Sequence, residues 1–245
     1  MPADAASATV DVWVASSSSL DPRDLSRLAT LLTPDETARG ARFVRACDRD
    51  AFVLTRALIR TCLSRYGPTA PGDWRFVTNA HQCPFVAADQ AGTPWLSFNV
   101  SHTDGLVALA VTRGHRVGVD VESVSRLVLE DVPERHFAPD EVRDLRALPA
   151  AEQPQAFFDY WTLKEAYIKA RGLGLALPLD QFAFTLRGAA PPSIRFAPGF
   201  EDHPARWQFW QAWPTPTHRL AVAVERDGTD LPITVRHVAP AALVP

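Results

Sequence analysis

The stretch Phe157 to Lys169, Phe-Phe-Asp-Tyr-Trp-Thr-Leu-Lys-Glu-Ala-Tyr-Ile-Lys, constrains this chain more than any other. Read as a helix, it is apolar on nearly every side, and such a helix belongs in a core. Lys164, Glu165 and Lys169 are carried inside with it. Buried charge is costly unless it is paired or coordinates something. Two readings stand: an i,i+4 pair between Glu165 and Lys169 that only decorates the helix, or a functional site.

A second constraint is Gly118-Val119-Asp120-Val121-Glu122. On a strand, alternate side chains share a face, so Asp120 and Glu122 stand together, opposite Val119 and Val121. Neighbouring carboxylates repel and raise each other's pKa unless a cation lies between them. A hard cation with oxygen ligands would relieve that repulsion; an exposed acidic strand edge is the plain alternative. Phe98-Asn99-Val100-Ser101-His102-Thr103 is a third segment. Ser101 and His102 are adjacent, so on a strand they point to opposite faces, and no Gly-x-Ser-x-Gly elbow accompanies them. A strand end meeting an anion suits them better than a catalytic triad.

The rest of the chain reads as interspersed strands and helices, an α+β class. Strands are predicted at Val10 to Ala15, Trp74 to Thr78, Leu96 to Ser101, Leu106 to Thr112 and Arg116 to Ser123. Others follow at Phe182 to Leu186, Trp207 to Trp213, Leu220 to Glu225 and Ile233 to His237. Thr33-Pro34-Asp35-Glu36 is a helix start with a hydroxyl cap, proline at N1 and acids in the first turn. Its helix would carry Arg39, Arg42 and Arg45 at three-residue spacing. Asp48 is expected to cap a further helix running to Tyr66, and helical signals return at Pro139 to Leu148 and Pro154 to Arg171. A join near Thr112 to Arg116 divides the chain into halves, 1–113 and 114–245.

Apolar residues make up 47% of the 245-residue chain and charged residues 22%, which excludes disorder as its main state. A net charge of −3 argues against general nucleic-acid binding. Cys47, Cys62 and Cys83 are odd in number and lack CxxC spacing, so a reducing cytoplasm fits. Met1 to Leu20 has no basic start or long apolar run and does not read as a secretory signal. No stretch approaches the roughly 20 apolar residues of a membrane helix.

Together these segments resemble the 4'-phosphopantetheinyl transferases, in particular the large, monomeric surfactin-type class. That family's Gly-(Val/Ile)-Asp-x-Glu motif stands here as Gly118 to Glu122. Its Trp-x-x-Lys-Glu-(Ala/Ser)-x-x-Lys motif stands as Trp161, Lys164, Glu165, Ala166 and Lys169, and Phe-Asn-x-Ser-His as Phe98 to His102. Gly172-Leu173-Gly174-Leu175 also matches, and the likeness spans roughly Pro34 to Phe184.

The resemblance implies two similar α/β halves related by pseudo-twofold symmetry. It implies transfer of the phosphopantetheine arm of coenzyme A to a serine of an apo acyl- or peptidyl-carrier protein, releasing adenosine 3',5'-bisphosphate. Asp120, Glu122 and Glu165 would bind Mg2+. Lys164 and Lys169 would contact the coenzyme or the reacting phosphate, and Ser101 and His102 its phosphates. By position, Arg39 and Arg42 resemble the family's basic residues for the 3'-phosphate. Glu165 is then the candidate base, with Lys169 and Asp120 beside it. The family's frequent Gly-Lys-Pro reads here Gln82-Cys83-Pro84, keeping Pro84 as a coenzyme contact and losing the lysine. Leu127, Val128, Leu129 and Val132, within Ser123 to Phe137, form either a carrier-docking surface or ordinary core. A metal-dependent phosphohydrolase using the same carboxylates is the rival chemistry, and it would need no carrier protein.

Overall fold

A computed structural model describes residues 8–18, 20–126, 131–186, 188 and 190–244. The chain divides into two compact units. The first carries β1 (Val10–Ser16), α1 (Pro22–Ala29), α2 (Pro34–Gly40), α3 (Ala46–Leu63), β2 (Phe76–Thr78), β3 (Pro84–Val86), α4 (Ala88–Ala91), β4 (Leu96–Thr103) and β5 (Leu106–Arg113). The second carries β6 (Val117–Ser123), α5 (Val132–His136), α6 (Pro139–Arg146), α7 (Gln153–Arg171), β7 (Phe182–Thr185), β8 (Ser193–Phe196), β9 (Trp207–Thr215) and β10 (His218–Glu225). The last strand, β11 (Ile233–His237), belongs to the first unit.

In the first unit the sheet order is β11-β1-β5-β4. β11 lies parallel to β1, pairing Val10 with Ile233 and Val14 with His237. Residues Leu231–Pro245 therefore leave the second half and rejoin the first, which corrects the expected division at 113. Alternate residues Val107, Leu109 and Val111 of β5 join Trp13 and Ala15 of β1 in one core, covered by Leu54, Leu58 and Ile59 of α3. Thr33 caps α2 reciprocally: its hydroxyl accepts from the Glu36 amide, and Glu36 Oε2 accepts from the Thr33 amide at 3.0 Å. The helix ends at Gly40, so Arg42 and Arg45 do not continue it. Arg45 is instead the N-cap residue of α3, with Asp48 inside the first turn rather than capping. The three-residue spacing of these arginines therefore makes no single helical face.

In the second unit β6-β10-β9 is an antiparallel sheet, with Asp120 opposite Ala221 and Gly118 opposite Ala223. Helix α7 packs on the face that carries these residues. Its Phe157, Leu163, Tyr167 and Ile168 join Phe182, Phe209, Ala221 and Ala223 in the second core. The absence of a wide polar stripe on α7 follows from this burial on several sides. Val132 packs against the same core, while Leu127, Val128 and Leu129 lie outside the described residues. Among the described residues no helix is long and apolar enough to cross a membrane.

Candidate active site

The site in the second unit is made by how closely α7 approaches β6. A Cβ at Gly118 would lie 2.0 Å from the Ala166 carbonyl oxygen and 2.5 Å from the Ala170 amide nitrogen. Both atoms are backbone, so only a residue without a side chain fits there. Ala166 and Ala170 are small residues on the helix face, and Ala221 and Ala223 of β10 are small on the sheet face. Asp120 and Glu122 follow Gly118 at alternate positions on the same strand face. Glu165 and Lys169 flank Ala166 and Ala170 on the helix. Contact between the two backbones thus brings the two charged motifs together.

Lys169 Nζ donates to Asp120 Oδ1 at 2.6 Å. Asp120 is only 3% exposed, whereas the Lys169 side chain keeps 27% of its surface open. Arg126 Nη1 donates to Glu122 Oε2 at 2.6 Å. The Glu165 carboxyl is pushed up to about 7, first by burial and then by the charges of Asp120 and Glu122, against the pull of Lys169. Glu165 therefore senses both other carboxylates as well as Lys169. Lys169 turns to the strand acid Asp120. Among the described residues, no three His, Cys, Asp or Glu side chains stand together as a ready-made metal-ligand group. The chemistry of Asp120, Glu122 and Glu165 still fits a hard divalent cation: three carboxylate oxygen donors, one of them raised in pKa by burial and by the charges of the other two.

Lys164 corrects an expectation. It has no exposed surface, and its ammonium donates to the Leu179 and Phe182 carbonyls at 2.7 and 2.8 Å. It also lies 2.7 Å from Glu141 Oε2. Glu141 in turn accepts from the Ala138 and Phe184 amides. Burial pushes the Glu141 carboxyl up and the Lys164 ammonium down, and their mutual attraction opposes both shifts. With all three of its hydrogens engaged in the interior, Lys164 ties α6, α7 and β7 together instead of meeting a coenzyme. It and Lys169 are the chain's two lysines. Glu141, 23 residues away from Lys164 in the chain, was not among the expected site residues, and no local pattern marks it.

In the first unit, Ser101 and His102 end the edge strand β4, with Ser101 buried and His102 exposed. Pro84 opens β3, paired with Thr78 of β2. Just before it, in residues assigned to the second unit, Gln82 has a φ of 63°, the left-handed region. A non-glycine residue is strained there, at the position where the family often has glycine. The turn is held by Asn79, whose Oδ1 accepts from the His81 and Cys83 amides and whose Nδ2 donates to the Gly172 carbonyl after α7. Arg39 lines a cavity of about 540 Å³ with Arg56 and Arg60 of α3; Arg42, exposed, is not among its lining residues. The sequence reading missed Arg56, because it sits in an apolar helix.

Residues 116–224 match the family model described as the 4'-phosphopantetheinyl transferase superfamily. Residues 18–114 match 4'-phosphopantetheinyl transferase, N-terminal. The chain is similar to the 4'-phosphopantetheinyl transferase HetI of a Nostoc species, 33% identical over 201 residues, covering 82% of this chain and 81% of that one. It is also similar to the 4'-phosphopantetheinyl transferase Sfp of Bacillus subtilis, 30% identical over 71% of this chain and 75% of that one. A phosphopantetheinyl transferase of a Thraustochytrium species is 29% identical over 91% of this chain and 81% of its own.

Proposed function

The chain belongs to the 4'-phosphopantetheinyl transferase family, and on that footing we propose that Asp120, Glu122, Glu165 and Lys169 are its transfer site. The reaction moves the phosphopantetheine arm of coenzyme A to a carrier-protein serine. The serine Oγ forms a bond to the β-phosphorus, the bond to the bridging pyrophosphate oxygen breaks, and adenosine 3',5'-bisphosphate leaves. The observation that carries the assignment is the packing of α7 directly on Gly118, which sets the acids of one motif against the acid and lysine of the other.

Each residue has work suited to its surroundings. Glu165, whose carboxyl burial and the neighbouring acids raise to about 7 in the metal-free chain, would take the serine proton, directly or through water. Lys169 keeps part of its ammonium open while Asp120 fixes its direction, so it would donate to a phosphate oxygen as charge builds. Asp120, Glu122 and Glu165 would hold a magnesium ion. Bound there, the ion would supply charge neutralisation for the pyrophosphate. Arg126 would balance the charge of Glu122. The exposed state of Cys47 and the lack of cystines fit a reducing, cytoplasmic setting, and we read the enzyme as a monomer acting on an apo acyl- or peptidyl-carrier protein.

The test is incubation of the full chain with coenzyme A, magnesium and an apo carrier protein, followed by intact mass measurement of the carrier. A gain of one phosphopantetheine, lost on chelation and restored by magnesium, is expected. Release of phosphate with an unchanged carrier mass would favour the phosphohydrolase instead.

A further inference from the structure

The last turns of α7 are held from behind by a carboxylate that no motif marks. Asp202 lies between β8 and β9, and its side chain has no exposed surface. Its Oδ2 accepts from the Tyr167 hydroxyl at 2.7 Å, from Trp207 Nε1 at 2.9 Å and from Arg171 Nη1. Its Oδ1 accepts from the His203 amide at 2.8 Å. Arg171 Nη1 also donates to the Tyr167 hydroxyl oxygen at 2.8 Å, which closes a triangle of acid, phenol and guanidinium. Burial pushes the Asp202 carboxyl up; the bonds from Tyr167, Trp207 and His203 and the charge of Arg171 outweigh it, so its pKa ends below the ordinary value.

Tyr167 and Arg171 stand about one turn apart on α7, and so do Glu165 and Lys169. Each residue advances the helix by about 100°, so the two pairs lie on nearly opposite sides. The front pair belongs to the β6 side, where Lys169 reaches Asp120 at 2.6 Å. The back pair meets Asp202 and, through it, Trp207 at the start of β9. The Tyr167 ring is wedged edge-on against Phe182 and Trp207, with centroids 4.9 and 5.1 Å away. Gly118 sets how near α7 comes to the sheet, but a contact between two backbones leaves the helix free to roll about its axis. Hydrogen bonds are directional, and three donors on one buried oxygen remove that freedom. On a helix about 10–12 Å across with its side chains, a roll of about 10° carries a side-chain tip through roughly 1 Å.

We propose that Asp202 is a positioning residue for the transfer site: by gripping Tyr167 and Arg171 on the back of α7, it fixes the roll at which the helix presents Glu165 and Lys169 to β6. Its effect on turnover rests on the transfer reading, while the grip rests on the hydrogen bonds alone. The two lysines of the chain make the grip measurable without turnover. Lys164 has no exposed surface, whereas the Lys169 side chain keeps 27% of its own. The full chain, free of metal and coenzyme, is treated with an amine-reactive ester, and labelling at each lysine is followed by peptide mass spectrometry. Asp202→Asn should speed labelling of Lys169 by about tenfold, the worth of freeing one charge-assisted hydrogen bond. Lys164 should stay protected, which reports that the core is intact. In the transfer assay at saturating substrates, kcat should fall by roughly 10- to 100-fold, as for a reacting group misplaced by about 1 Å, while the calorimetric Kd for coenzyme A holds.

If Asp202→Asn does not fold, Tyr167→Phe keeps the ring and removes only the hydroxyl, and smaller changes of the same sign are expected. Unchanged labelling of Lys169 in whichever variant folds overturns the proposal. Faster labelling of both lysines together also overturns it, since Asp202 then only stabilises the fold. Faster labelling of Lys169 with an unchanged kcat leaves a grip that positions nothing, and refutes the role as well. Should the unaltered chain transfer nothing, the functional reading fails, and the labelling alone decides whether Asp202 sets the roll of α7.

Discussion

Replacing Gly118 by alanine adds one methyl group to the point where two motifs touch. The new Cβ would stand 2.0 Å from the Ala166 carbonyl oxygen and 2.5 Å from the Ala170 amide nitrogen. To reach even the tightest tolerated contact, near 3.0 Å, the α7 backbone must withdraw by about 1 Å. Overpacking of this kind costs about 1–3 kcal/mol, and with backbone on both sides the upper end is expected. The same displacement stretches the 2.6 Å bond between Lys169 and Asp120 beyond hydrogen-bond range. A misplacement of about 1 Å in reacting groups can cost on the order of 10²-fold in rate. Denaturant unfolding should therefore show a loss of about 2–3 kcal/mol, and transfer to an apo carrier should fall by far more than the lost folded fraction explains. Because the obstructing atoms are main chain, Ala166→Gly should not rescue it. A Gly118→Ala protein as stable as its parent and within twofold of its transfer rate would show that this contact does not set the site.

Two further outcomes follow from buried charge. Glu165 titrates near 7 in the folded chain against an ordinary 4.5, so the folded state holds its proton over that interval while the unfolded state loses it. Stability without metal should then fall as pH rises from about 4.5 to 7, by at most roughly 3 kcal/mol. Glu165→Gln should remove that decline, leaving the metal-free variant the more stable at pH 8 and nearly inactive; parallel melting curves across this range would sink the idea of converging carboxylates. For Lys164, Lys164→Met strands Glu141 in the core and should cost about 3–5 kcal/mol, much of it recovered by adding Glu141→Gln. A variant that melts like its parent but binds coenzyme A poorly would return Lys164 to the coenzyme site.

What could be read from the sequence was whatever a local period or cap encodes. The alternation of Asp120 and Glu122 and the reciprocal cap of Thr33 and Glu36 stand in the structure as the chain spells them. The apolar character of α7 announced its burial. Three-residue spacing misled at Arg39, Arg42 and Arg45, because Gly40 ends the helix before the series is complete. The partner of Lys164 could not be found locally, since Glu141 comes from another helix. Gly118 gave no hint of its reason either: a strand glycine explains itself only once a helix backbone lies against it. Leu231–Pro245 changed units for a similar cause, as parallel pairing of β11 with β1 joins the two ends of the chain.

Binding of a divalent cation by Asp120, Glu122 and Glu165 can be measured without turnover. Manganese, a paramagnetic stand-in for magnesium, can be titrated into the full chain with coenzyme A present, and the free ion read by electron paramagnetic resonance. One bound ion per chain is expected, displaced by magnesium. Asp120→Asn should weaken its binding by more than about 100-fold, because a loss beyond the roughly 10- to 100-fold of an outer-shell partner marks a residue on which the ion sits directly. Equal manganese affinity in the parent and in Asp120→Asn, with both proteins folded, would contradict the assignment of these carboxylates.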